Sequence, residues 1–220
     1  MKNKFFTILI VLIICSLTPA FSACTETMEP ISSEDEEEST TVETIEEEDT
    51  RDPETFSTKN IVIDGSINSH EYLYSLKDEG TGIEVHWLND DQYIHIGIIA
   101  NSSGWTAIGF NPEFAMKGAN IIFMAIDDQD IIMRDDFGNS NFSHSSDMDL
   151  GGSFDIEEYA GKSDGNKAVY EFKMLLDTGD EFDGILNPGV QYKVIFAVNS
   201  RGIDFNSKHT KKSSSQIQLD

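Results

Sequence analysis

Thiols are nearly missing from this chain: its 220 residues hold two cysteines, Cys15 and Cys24. Beyond residue 24 there is none, which excludes disulfides, Cys-ligated zinc, iron–sulfur clusters and covalent C-x-x-C-H attachment of a haem from everything that follows. Base is scarce too, with Lys+Arg 15 against Asp+Glu 40 and a formal net charge of −25. Neutralising phosphates takes a basic patch, so nucleic acid is a poor partner. The catalytic signatures G-x-S-x-G, H-E-x-x-H and the P-loop are absent. Helical periodicity is almost absent as well.

What is present begins with Lys2 and Lys4, followed by an apolar run over residues 5–17 broken only by Thr7, Cys15 and Ser16. That run is shorter than the roughly 18 apolar residues a membrane span needs, and its flanks are those of a signal peptide covering residues 1–23. Phe21-Ser22-Ala23-Cys24 resembles the bacterial lipobox, with Phe21 where Leu is usual. The expectation is an acylated Cys24 that anchors an extracytoplasmic protein to a membrane of the bacterial cell envelope. Residues 24–56 follow as an acidic tether, with EDEEE at 34–38, EEED at 46–49 and Arg51 as the single base. Such a segment buries too little apolar surface to offset its ordering entropy, and like charges extend it. Calcium binding is the other use open to so acidic a tail.

Residues 57–220 suffice for one domain with one substantial core. GIEVHWL at 82–88 alternates Ile83, Val85 and Trp87 against Glu84, His86 and Leu88. After the turn at 89–91, Ile94, Ile96 and Ile98 alternate with Tyr93, His95 and Gly97, so the two runs form a hairpin. Further short strands are expected at 60–64, 105–110, 120–126, 130–133, 154–156, 167–176, 192–199 and 216–219. Residues 135–152 read as a long polar loop, 177–189 as a second loop, and 181–186 give the only hint of a helix. About ten short strands between turns predict an all-β fold, an immunoglobulin-like antiparallel β-sandwich, with a closed barrel as runner-up.

Met116 lies in the connection between two of these strands, where a thioether either fills a gap in the core or ligates an iron porphyrin. Of the five histidines, His70, His86 and His95 read as solvated or rim residues. His144 sits among Asp and Ser, with a metal site shared with Asp147 or Asp149 as its functional reading. His209 stands among Lys208, Lys211 and Lys212 in an otherwise acidic domain, either a solvated basic loop or an imidazole whose neighbours suit the two propionates of a haem. The acids at 177–184 do not match the D-x-[DN]-x-[DN]-G calcium loop and read as turn formers.

Several separated motifs in order, IDGSINSHEY (63–72), Trp87 in its hairpin, SGWTAIGF (103–110), AMKGANIIF (115–123), DDFG (135–138) followed by HSSDMDLGG (144–152), EFKMLLDTGDEFD (171–183) with NPG (187–189), and a final His-containing segment, resemble the DOMON domain family. The resemblance spans residues 61–220 and implies the same immunoglobulin-like sandwich. Cytochrome members of the family hold b-type haem between an axial Met in the loop after the GW strand and an axial His near the last strands. Met116 and His209 occupy the matching places, with Lys208 as a substitute ligand.

Two functions are expected from this. The first is electron transfer by non-covalently bound haem b, ligated by Met116 and His209 and walled by Trp105, Ile108, Phe110, Ile122 and Met124. Both axial positions would be filled, which favours electron exchange with a redox partner protein over catalysis. The second is a haem-free cell-surface module for carbohydrate or another small ligand, with Trp87, Trp105 and Tyr93 stacking on it.

Overall fold

In the computed structural model the described residues are 56–220. The signal segment, Cys24 and nearly all of the tether lie outside them. Two antiparallel sheets pack face to face as a β-sandwich. The five-stranded sheet runs β1 (Tyr74–Lys77), β2 (Glu84–Asn89), β3 (Tyr93–Ala100), β9 (Ala168–Leu175) and β8 (Ile156–Ser163), in that spatial order. The six-stranded sheet runs β11 (Lys211–Gln218), β10 (Gln191–Val198), β4 (Thr106–Phe110), β5 (Asn120–Asp127), β6 (Asp130–Ser140) and β7 (Ser143–Ser146). One helical turn, α1 (Asp147–Leu150), follows β7.

The period-2 pattern decides which side chains fill the space between the sheets. Ile94, Ile96 and Ile98 of β3 stand opposite Met174, Phe172 and Tyr170 of β9, and all six are buried in the main core. From the other sheet Ile108, Phe110, Ile122, Met124, Val194 and Phe196 complete it. Each such side chain contributes about 1.5–3 kcal/mol by leaving water.

Four expectations are corrected. Residues 60–64 form no strand: Val62 is exposed, and the backbone of 64–66 donates to the Glu171 carboxylate rather than to a ladder. The supposed loop at 135–152 is the second half of a long β6, the short β7 and α1. Its polar side chains are buried acids and a hairpin tip, which masked the strand period. Residues 181–186 make turns and no helix, because the Asp183 N–H closes a turn on the Asp180 carbonyl and the Leu186 N–H is spent on the Leu176 carbonyl instead of one four residues back. The closing strand begins at Lys211, five residues earlier than its apolar end suggests.

Candidate functional site

The outer face of the six-stranded sheet is apolar where an ordinary sandwich would meet water. Trp105, Ala107, Ala119, Ile121, Phe123, Ala125 and Phe205 form a second buried cluster, flanked by Met116, Ile195, Ala197 and Ile203. Two connections close over it. Residues 111–119 leave β4 at Phe110 and bring Met116, half-buried, against the cluster. Residues 199–210 leave β10 at Val198, lay Ile203 and Phe205 on the face, and end in half-buried His209 just before β11.

Glycine makes both closures possible. A Cβ on Gly138 would lie 1.7 Å from the Met116 carbonyl oxygen, and one on Gly104 would lie 1.9 Å from that of Asn199. Hydrogen bonds then pin the second cover: the Trp105 indole N–H donates to Ser207 Oγ at 3.1 Å, and Asn199 Nδ2 donates to the same oxygen at 2.7 Å. Phe123 is the centre of the face, with ring centroids of Trp105 at 5.1 Å, Phe205 at 5.4 Å and His144 at 4.7 Å. The Arg134 guanidinium lies over Phe123 and Phe205 and forms a two-pronged pair with fully buried Asp136 at 2.6 and 2.8 Å.

Over residues 79–199, more than half of the chain, the sequence matches the DOMON domain. The chain belongs to the DOMON family. Among solved structures this DOMON domain is similar to the cytochrome b domain of pyranose dehydrogenase from Coprinopsis cinerea, at 11% identity over 65% of this chain and 80% of that one, TM-score 0.50. It is also similar to the cytochrome domain of Myriococcum thermophilum cellobiose dehydrogenase, at 10% identity, 67% and 81% coverage, TM-score 0.48. A third is a family 9 carbohydrate-binding module from Caldicellulosiruptor kristjanssonii in complex with glucose, at 14% identity, 76% and 93% coverage, TM-score 0.39. At such identity the first likeness is one of fold. No curated protein matches by sequence.

Within the DOMON domain, the expected site residues divide between two faces. Trp105 is on the outer face with Met116, whereas Phe110, Ile108, Ile122 and Met124 point into the core between the sheets. The alternation of β4 requires this, since residues an odd number apart face opposite ways. The outer wall is instead Ala107, Ile121, Phe123, Ala125 and Phe205. Met116 packs on the face from the Phe110 end of β4, while His209 stands at the opposite end, next to Thr210, whose N–H meets the carbonyl of Val198, the partner of Thr106. Lys208 is exposed beside His209. Burial first, then the charges of Lys212 and Lys208, hold the His209 imidazole below its usual pKa.

His144 is not placed by Asp147 or Asp149 as a partner; its Nδ1 meets Asp136 Oδ2 and its ring covers Phe123. The aromatic residues named for sugar stacking offer no open platform. Trp87 and Trp105 are buried, Trp87 donating to the Gln218 carbonyl oxygen, and Lys173 Nζ covers Tyr93 at 4.1 Å from the ring centroid. Sequence reasoning missed Phe123, Phe205, Arg134 and Asp136. The signal for Phe123 was its even spacing from Ile121 and Ala125 on a strand apolar on both faces, the mark of a strand covered on both sides.

Proposed function

We propose that this DOMON domain holds haem b without covalent attachment and serves electron transfer outside the cytoplasm, tied to a membrane through acylated Cys24. The observation that supports the reading is the apolar outer face roofed by the two connections that carry Met116 and His209. The donor set fits a b-type haem: a soft thioether, an imidazole that burial and lysines favour in its neutral, ligating form, and no thiol. Bound there, the haem would supply a one-electron redox centre.

The chain's own residues have separate tasks in this reading. Met116 and His209 would hold the group, with Lys208 as the substitute for His209. Lys208 and Lys212 offer charge for propionates. Trp105, Phe123 and Phe205 exclude water, and the Trp105–Ser207–Asn199 hydrogen bonds hold the roof in place. An acidic tether would draw a redox partner with a basic surface over long range, an attraction that weakens with salt.

Purification after haem-supplemented expression tests this. A low-spin Soret band with sharp α and β bands on reduction is expected, and Met116→Ala and His209→Ala should each give a high-spin or colourless protein. A colourless wild type sinks the reading, and loss of the spectrum in Lys208→Ala alone moves the ligand off His209.

A further inference from the structure

On the inner side of β6, one residue from Asp136, aspartates from four segments come together, three in a tight group and Asp147 beside them. Asp135 comes from β6, Asp147 from α1, Asp155 from the residue before β8 and Asp183 from the loop between β9 and β10. Carboxylate oxygens of Asp135, Asp155 and Asp183 all lie within 4.8 Å of one another. Asp135 is 2% and Asp147 0% exposed. No salt bridge among the described residues involves any of the four.

Acids alone would say little, but the polar atoms around them are left open. Both carboxylate oxygens of Asp147 and one of Asp135 have no hydrogen-bond partner. Asn120, 5% exposed, donates its amide N–H to Asp183 Oδ1, which fixes its carboxamide against the group. Its own Oδ1 is buried and unpartnered. A buried neutral carbonyl oxygen left without a donor, on a carboxamide fixed against a nest of carboxylates, is a ligand a hard cation would use. The remaining oxygens are oriented by donors: Asp155 N–H to Asp135 Oδ2 at 3.2 Å, and Thr178 Oγ1 to Asp183 Oδ2 at 2.8 Å.

We propose that Asp135, Asp147, Asp155, Asp183 and the Asn120 amide oxygen bind a calcium ion that fastens α1 and the loop between β9 and β10 to the edge of the sandwich. The ligands are all oxygen, which selects a hard cation over zinc or copper. Oxygens on a shell of roughly 2.4 Å radius stand at most about 4.8 Å apart, and the three carboxylates that lie within 4.8 Å of one another can therefore share one ion. Ligands drawn from several loops suit the pliant six- to eight-fold shell of calcium better than the strict octahedron of magnesium.

The test uses the whole chain, stripped with EDTA and titrated with calcium chloride in a calorimeter, with thermal unfolding alongside. A single-site heat is expected, with Tm rising by about 5–10 °C at a hundredfold excess over Kd. Asp183→Asn should lose at least about tenfold in affinity yet keep or raise its Tm in EDTA, because it relieves repulsion. Asn120→Ala keeps every carboxylate and should lose affinity as well, which covers the case where Asp183→Asn does not fold. No heat and no Tm shift at about 10 mM calcium, well above the range of extracellular modules, overturns the proposal. So does binding undiminished in both variants, which assigns the heat to the acidic tether.

Discussion

Glu171 on β9 is fully buried, and its two oxygens between them take four hydrogen bonds. Oε2 accepts from the backbone N–H groups of Asp64 at 3.1 Å, Gly65 at 2.7 Å and Ser66 at 3.0 Å, and Oε1 accepts from the Tyr72 hydroxyl at 2.8 Å. The segment 61–66 has no sheet partner, so this carboxylate is what docks it. Each bond to a charged group is worth about 1.5–3 kcal/mol if its partner stays dry, and four would sum to roughly 6–12 kcal/mol. Two effects cut that figure for Glu171→Ala. The freed N–H groups can swing into water, and the cost of burying the carboxylate, which pushes its pKa upward, disappears. A net loss of about 3 kcal/mol is expected. Glu171→Gln keeps one acceptor for the three N–H groups and turns its amide toward Tyr72 Oη, so its loss should be about 1 kcal/mol, in line with the weaker neutral bonds. Urea unfolding followed by the fluorescence of Trp87 and Trp105 gives both numbers. If glutamine costs as much as alanine, or alanine less than about 1 kcal/mol, the carboxylate is not the dock argued for it.

Two further predictions concern the roof and the pH response. Gly138→Ala should push the Met116 loop outward, costing about 2–4 kcal/mol in urea unfolding and lowering haem retention although it leaves the Met116 thioether itself unaltered; unchanged stability would contradict the close approach. His95 is buried with Nδ1 unpartnered, and burial first and Lys173 second hold its pKa below 6.5, against Asp90 and Glu158, which raise it. A depressed folded pKa means full stability above 6.5, lost as the pH falls from there through the folded value. His95→Gln should therefore flatten the stability profile of the domain below pH 6.5, measured as Tm against pH, and a slope equal to wild type would rule this source out.

The sandwich was legible because strand alternation survives where one face is core. Ile83, Val85 and Trp87, then Ile94, Ile96 and Ile98, reveal their partners by spacing alone. The site was legible only in part. Met116 and the Lys-flanked His209 stand out as residue types in unusual places, but the face they approach does not. Both faces of β4 and β5 are apolar, so alternation sets Trp105 and Phe110 on opposite faces but nothing in TAIGF or NIIFMAI says which of the two looks outward. Only the packing of the second sheet, against Phe110 and not Trp105, decides it. Residues 60–64 failed for the opposite reason: their pattern is that of a strand, while the donors of 64–66 are taken by an acid more than a hundred positions away.

Asp135 and Asp136 show how one misread segment hid two sites. Adjacent strand residues face opposite ways, so the pair sends one carboxylate to each side of β6. Asp136 points outward, where Arg134 and His144 meet it and its charge is matched. Asp135 points inward, where burial and then the charges of Asp183 and Asp147 push it up to about 9. The same chemistry on the same strand is compensated on one face and uncompensated on the other. A buried acid without a base is costly, and a fold would discard it unless something else bound there. The apolar partners that normally betray a strand are therefore missing from Arg134-Asp135-Asp136 because both faces of β6 at this point are committed to charge, one to a salt bridge and the other to a cation.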